Sequence, residues 1–433
     1  MTRRVKVPGV AVGLGVLALT MTACGSDTSD PTAGEADWNQ RGPITLVQGK
    51  DNNNLVQPLL DEWNKAHPQE KVTAVALPSS ADEQRQKMIN NATTKGASGY
   101  DVISLDVVWT AEFAAKGYVH ELPADQFPTD GYLPSAVDTG SYFGKLYAFP
   151  YASDSAMLYY RKDLLDKAGV KEAPRTWEEM KAACAAVKKL PEGKGMGCYG
   201  GQFQKYEGLT CNVTEIVNSA GGQFLDQEGK PQVNSEAAVK AMEWLRDSFA
   251  DGTIPKAATT WMEEPSRHAF QDGKLVFLRQ WTYPYSLMSA TDGSSKVAGK
   301  FAVAPLPGLD GPGVSTLGGH NFAIAKSSRN LATARDFILW WNAEEQQRVE
   351  VQKASIAPAL EKLYQDPALA KQFPYLQVLH TTLKSAKARP KVVDYNDATQ
   401  AIQDASHQVI QGKATPRAAF DDLQHELTSI TGG

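Results

Sequence analysis

The sequence is poor in cysteine and histidine, and it has no long basic run. Its 433 residues include four cysteines and seven histidines. No CxxC pair occurs, so a zinc ribbon is not indicated and no metal site is expected. The histidines are scattered, and neither a G-x-S-x-G nor an H-E-x-x-H motif occurs. That removes common local signatures of serine hydrolases and zinc peptidases. Lysine and arginine number 44 against 49 acidic residues, a net charge of −5. Nucleic-acid binding needs clustered cations to neutralise phosphates and is therefore not expected. After residue 24 no apolar run approaches the ~20 residues of a membrane-spanning helix.

What is present begins at the start of the chain. Arg3, Arg4 and Lys6 precede the apolar run Val7–Met21, and Thr22-Ala23-Cys24 follows. This order reads as an export signal over residues 1–23. Small residues directly before a cysteine look like a lipobox, at which Cys24 becomes a lipid-bearing N-terminus. Residues 24–42 include the Ser/Asp/Thr/Gly-rich stretch Gly25–Gly34 and read as a flexible tether. The expected location is the outer face of the cytoplasmic membrane, with multiple acylation giving the firm hold that one acyl chain lacks.

The remaining chain, roughly 390–400 residues, can build two or three cores. At 42% hydrophobic and 21% charged it has ordinary globular composition. With Cys24 lipidated, Cys184, Cys198 and Cys211 remain. An oxidising compartment permits a disulfide, and three thiols cannot all pair. Cys184–Cys198, which closes a short loop, is the favoured pair, but the sequence does not fix the pairing.

Strand-like and helix-like segments alternate. Ile44–Val47 reads as a buried strand, followed by the polar loop Gln48–Asn54 and a helix carrying Leu55, Leu59 and Trp63 on one face. Val72–Leu77 and Asp101–Val108 read as further strands around a polar helix, Asp82–Thr94. Thr176-Trp177-Glu178-Glu179 has the form of a capping box, and Ser235 reads as a helix cap. Leu331, Ala334, Ile338 and Trp341 share a helical face, as do Phe420, Leu423, Leu427 and Ile430. Trp63, Trp244, Trp340 and Trp341 are assigned to the core from their spacing. The alternation implies βαβ units and parallel sheets. In open α/β sheets ligands bind at the carboxyl ends of strands, which selects the loops Gln48–Asn54 and Asp106–Trp109.

The segment GKLYAFPYASDSAMLYYRKDLLDKAG (144–169) resembles the first crossover of extracellular solute-binding proteins of the maltose-binding type, which serve ABC importers. YDVISLDVVWTAEFAAKGYVHEL (100–122), QKYEGLTCN (204–212), FLRQWTYPYS (277–286), LGGHNFAIAKSS (317–328) and ARPKVVDY (388–395) resemble further pieces of that family in the family's order. The nearest branch looks like the trehalose/maltose-binding lipoproteins. The resemblance implies an α/β fold of type II periplasmic-binding-protein form: two lobes, each a mostly parallel sheet flanked by helices, around a ligand cleft. It places residues 43–150 plus about 308–356 in the first lobe and 151–307 plus about 357–433 in the second. Crossings are expected near Tyr151, Pro305 and Ala357. The lobes would close on ligand by hinge motion.

Sugars call for planar polar groups against hydroxyls and aromatic faces against C–H patches. Asp106, at a strand end, matches a sugar-binding aspartate of the resembling proteins. Asp51 lies in the first ligand loop, with a turn or helix-cap role as its alternative. Trp109 would line the cleft or anchor the next helix. Asp154 is expected to face across the cleft, and Tyr151 either to line it or to pack the hinge. Glu263 is a hydroxyl acceptor by resemblance, with the adjacent Glu264 an equal choice on spacing. Trp281 is the expected stacking platform and Tyr283 its flank. Gly318 and Gly319 would admit ligand close to the backbone. His320 stands where close relatives carry tryptophan, which removes an expected aromatic face. Arg389 would reach vicinal hydroxyls with two donors.

The expected function is a lipid-anchored, monomeric, non-enzymatic sugar-binding subunit of an importer. Its partners would be a disaccharide or oligosaccharide and the permease subunits, with no cofactor and no nucleic acid. A secreted carbohydrate-active hydrolase with paired carboxylates, or a surface adhesin or scaffold, is the alternative.

Overall fold

The structure is a computed structural model that describes residues 36–94, 96 and 99–432. The expected signal segment, Cys24 and most of the tether lie outside the described residues. Eleven strands occur among the described residues: β1 (Ile44–Gln48), β2 (Val72–Ala76), β3 (Val102–Asp106), β4 (Ser141–Tyr142), β5 (Lys145–Leu146), β6 (Phe149–Ser155), β7 (Met157–Tyr160), β8 (Gly197–Gly200), β9 (Leu275–Gln280), β10 (Ala302–Ala304) and β11 (Leu317–Ile324). They form a five-stranded sheet in the order β2-β1-β3-β11-β6, a four-stranded sheet in the order β10-β7-β9-β8, and a small hairpin, β4-β5.

Each main sheet is buried on both faces. In β1, Leu46 packs with Leu59, Leu60 and Trp63 of the helix Val56–Ala66, while its neighbour Val47 faces the opposite core with Met88 and Phe113. This is the two-residue alternation of a strand carried into two apolar layers. β7 does the same in the second sheet, with Leu158 on one side and Met157 and Tyr159 on the other. Burial on both faces explains why LVFL is wholly apolar and VISL apolar but for Ser104.

The helix signals are realised. Thr176 accepts a hydrogen bond from Glu179 N at 3.1 Å and Glu179 reaches back to the Thr176 amide, opening the helix Trp177–Val187. Ser235 caps Glu236–Ala250. A disulfide joins Cys184 to Cys198, tying that first helix to β8, and Cys211 is a buried free thiol. Trp63 and Trp341 are 2% exposed, Trp340 packs against their core from a partly buried position, and Trp244 packs likewise against the core of the second sheet.

The sheets are mixed rather than mostly parallel. β1 pairs in parallel with β2 and β3, but β11 runs antiparallel to both β3 and β6. In the second sheet only β8–β9 is parallel; β7 runs antiparallel to β9 and β10. The reason is topological. β6 and β11 are segments that pass directly between the sheets, so no helical crossover brings them back in parallel. The chain leaves the first sheet at Ala156, between β6 and β7, and Tyr151 lies inside β6. It returns between β10 and β11. Near Ala357 it runs alongside β6, where Ser153 N donates to Ala357 O at 3.2 Å. Among the described residues no helix is long and apolar enough to cross a membrane.

Candidate ligand cleft between the two sheets

Asp106 is the last residue of β3, where the chain turns into the short helix Thr110–Ala115. Its carboxylate meets Arg389, whose extended segment is tied to the approach to β11 by Leu317 N donating to Lys387 O at 2.8 Å. Arg389 Nη2 donates to Asp106 Oδ1 at 2.6 Å and Nη1 to Oδ2 at 3.3 Å. Nη1 also donates to Glu207 Oε1 at 2.6 Å. The Arg389 side chain is 1% exposed. Glu207 opens the helix Glu207–Ser219 against the second sheet. It further accepts from the Tyr395 hydroxyl at 2.5 Å and from Thr399 Oγ1 at 2.7 Å. Its own amide donates to Asp82 Oδ2 at 2.8 Å, from the helix Ala81–Thr93 beside the first sheet. Burial pushes the Glu207 carboxyl up to about 7; Arg389 opposes the rise and nearby Asp106 adds to it.

His320 pairs with Asp106 across neighbouring strands. Burial lowers its pKa, with Asp106 pulling the other way, so the neutral imidazole is favoured near pH 7. Tyr151 stacks on Phe322 with ring centres 4.0 Å apart, and its hydroxyl shares a 3.0 Å hydrogen bond with Ser104. That is a packing role beside the cleft.

A second group forms where β6 and β11 face the end of β9. Asp154 pairs with Gly318 in the sheet and accepts from Ser155 N at 2.8 Å, Thr282 Oγ1 at 3.1 Å and Thr282 N at 3.4 Å. Burial raises its carboxyl to about 6, against the pull of the Thr282 donors. The partly buried Trp281 ring lies over Gly318, where a Cβ would come within 2.6 Å of the indole. The missing side chain therefore makes room for tryptophan. Gly319 sits at φ +119° with Ala152 O against its α-carbon, a place no side chain could occupy. Arg279 Cζ lies 4.0 Å from the Trp281 ring centre, and Arg279 itself is held by Glu215 at 2.5 Å and Gln202 at 2.8 Å.

Glu263 and Glu264 are now distinguishable. Glu264 is occupied by Arg267 at 2.6 Å and by the Tyr283 hydroxyl at 2.7 Å. Glu263 has its pKa raised by burial, opposed first by the Tyr206 hydroxyl. Tyr283 thus serves Glu264 with its hydroxyl.

Two candidates sit differently from the rest. Asp51 accepts from Asn53 N at 3.2 Å and Val56 N at 2.7 Å, closing its own loop at the helix start. Its neighbour Asn53 is the residue that spans the gap, donating to Ser286 Oγ at 2.9 Å and Ala354 O at 3.3 Å. Trp109 is 2% exposed and packs with Val47, Leu105, Phe113 and Tyr395, so it anchors the following helix. Glu207, Tyr395, Thr282 and Asn53 join these candidate groups without having been named from the sequence. Glu207 lay inside the quoted QKYEGLTCN segment, and its signal was an acid heading a helix that is buried for eleven residues.

Two sheets joined by passing strands, with carboxylates, a guanidinium and an indole gathered between them, define a two-lobed ligand-binding protein. The sequence profile of the bacterial extracellular solute-binding proteins matches residues 49–348, and the chain belongs to that family. A probable ABC transporter-binding protein of Deinococcus radiodurans is 32% identical over 381 residues, 86% of this chain and 89% of the relative. The maltose-bound MalE3 of T. maritima superposes with a TM-score of 0.83 at 31% identity, covering 89% of this chain and 99% of that one. A mannitol-binding protein of Pseudomonas aeruginosa is 27% identical over 328 residues, 73% of each chain.

Proposed function

We propose that the protein is the capture subunit of an ABC importer for a neutral carbohydrate. The ligand is a trehalose- or maltose-like disaccharide or a longer oligosaccharide, bound by closure of two lobes and passed unchanged to permease subunits. A lipid on Cys24 keeps a monomer at the outer face of the cytoplasmic membrane. The observation that carries this reading is the pairing, in one gap, of the charged Asp106–Arg389 fork with the Trp281 ring over Gly318. Carboxylate and guanidinium match vicinal hydroxyls, and the indole covers a sugar's C–H face. The maltose-bound relative supports a disaccharide. The mannitol-binding relative favours a polyol as the second reading, since the same fork would serve an open-chain hydroxyl array with less use for the indole.

Thermal unfolding against trehalose, maltose, maltotriose and mannitol tests this. Binding to the native state stabilises by about 2.7 kcal/mol at a hundred times Kd. A shift with maltose or trehalose and intact sugar afterwards is the expected result. Trp281→Ala is expected to weaken that sugar by about tenfold or more, the scale of one aromatic contact. A shift with mannitol alone, or conversion of the sugar, would overturn the reading. Mass spectrometry of the mature N-terminus tests the lipid on Cys24.

A further inference from the structure

We propose that Glu207 is a positioning residue for ligand capture: it fixes the Arg389 guanidinium in the orientation that faces Asp106 and the ligand. The proposal rests on the carbohydrate reading above and adds to it a residue outside the expected contact set.

Three observations meet. First, Glu207 is over-determined. Its side chain accepts from Arg389, Tyr395 and Thr399, and its amide is held by Asp82 from beside the other sheet. Both carboxylate oxygens are engaged, so the group acts through Arg389 rather than on ligand. Second, Arg389 divides its fork. Nη1 lies between Glu207 and Asp106, while Nη2 is turned to Asp106 alone. A planar guanidinium held at one corner by a fixed carboxylate cannot pivot without breaking that bond. Third, Arg389 Nε is buried and has no hydrogen-bond acceptor. A buried charged donor without a partner is costly, and native proteins rarely leave one unused. A hydroxyl oxygen of a bound carbohydrate would satisfy it. Without Glu207, Arg389 would be free to rotate onto Asp106 through Nε and Nη2 and so spend that donor inside the protein. The anchor therefore keeps a donor free and oriented before ligand arrives, which lowers the ordering cost of binding.

The test uses Glu207→Gln, which keeps shape and removes charge, and Arg389→Gln, singly and together. Calorimetry with trehalose and maltose as probes is expected to show 10- to 100-fold weaker binding for each single variant. The double variant should bind no more weakly than Arg389→Gln alone, because Glu207 acts only through Arg389. Losses that multiply, or wild-type affinity in Glu207→Gln, would overturn the proposal. A second readout needs no ligand. In arginine-labelled ligand-free protein, the Arg389 Nε–H resonance should be sharp in the wild type and broadened in Glu207→Gln, and in Glu207→Asp if the glutamine variant does not fold. An unchanged resonance would overturn the positioning role. Failure of the wild type to bind either probe would remove the carbohydrate reading, with the resonance still deciding what Glu207 does to Arg389.

Discussion

Asp106 and Asp154 reach the same gap from neighbouring parts of one sheet, yet their partners differ in kind. Asp106 faces a guanidinium that a second carboxylate, Glu207, also grips. Asp154 has only neutral donors within hydrogen-bond reach, the Thr282 hydroxyl and two backbone amides. The first region balances buried charge with charge. The second leaves a carboxyl whose ionised form is penalised by burial and only partly relieved by hydrogen bonds, which is why its pKa rises to about 6. One edge of the cleft thus depends on its charges being present, and the other would be easier to bury without them.

The largest expected effect lies at the charged edge. Arg389→Leu removes the cation between Asp106 and Glu207 and leaves the buried Glu207 carboxylate without it. Breaking a buried pair from one side costs about 3–5 kcal/mol. The sign with pH follows from Glu207. Losing the cation that opposes its rise lifts the folded pKa of Glu207 further, so the penalty is full at alkaline pH and fades as Glu207 protonates towards its unfolded value near ~4. Urea unfolding at pH 8 and pH 5 should therefore give a large loss at the first and a smaller one at the second. Equal losses at both would mean that Arg389 contributes packing rather than charge.

The sequence showed the local elements more clearly than the cleft. The strand at Asp101–Val108, the capping box at Thr176 and the helical faces at Leu331 and Phe420 are local signals, and they appear where expected. The strand directions were not legible. Whether β11 runs with or against β3 depends on where the chain comes from, which is a property of the whole path. The same division holds in the site. Asp106, Arg389 and Trp281 were proposed from local position and resemblance, and the structure places them at the ends of β3 and β9 and beside the approach to β11. The grip of Glu207 on Arg389 joins residues 182 apart, and the choice between Glu263 and Glu264 turns on Arg267 and Tyr283. In the polar loop, Asp51 turns to its own backbone amides while Asn53, two residues on, reaches Ser286, and no local pattern separates the two.

A smaller effect of opposite sign is expected at Asp154. Its folded pKa of about 6 exceeds the unfolded value of ~3.9. The associated stability is complete below pH ~4 and is lost as pH rises through 6, so at pH 7 the wild type carries the cost of an ionised, partly buried carboxylate. Asp154→Asn removes that cost and keeps an acceptor for Thr282. It is expected to be more stable than the wild type at pH 7 by about 1 kcal/mol, after allowance for the lost hydrogen bond from Ser155 N. Glu207 contributes a slope of the same sign, so the wild-type and variant curves should be compared by difference from pH 4 to pH 7. A loss of stability in Asp154→Asn at pH 7 would make the two edges alike and break the comparison.

The smallest effect belongs to Asp51, a carboxylate near the same gap that is engaged by its own loop. Its two oxygens satisfy the amides of Asn53 and Val56, the second of which opens the helix Val56–Ala66. Losing such a helix-start acceptor costs about 1 kcal/mol. Asp51→Ala should therefore lower the unfolding midpoint slightly and leave calorimetric affinity for the preferred sugar within about twofold of the wild type. Asn53→Ala is the control, since it keeps the loop's acceptor and removes a donor that spans to Ser286 and Ala354. It should leave the helix intact while removing the contacts to Ser286 and Ala354. A tenfold affinity loss in Asp51→Ala with no change in midpoint would place Asp51 against the ligand, and the contrast would then have to include a third carboxylate.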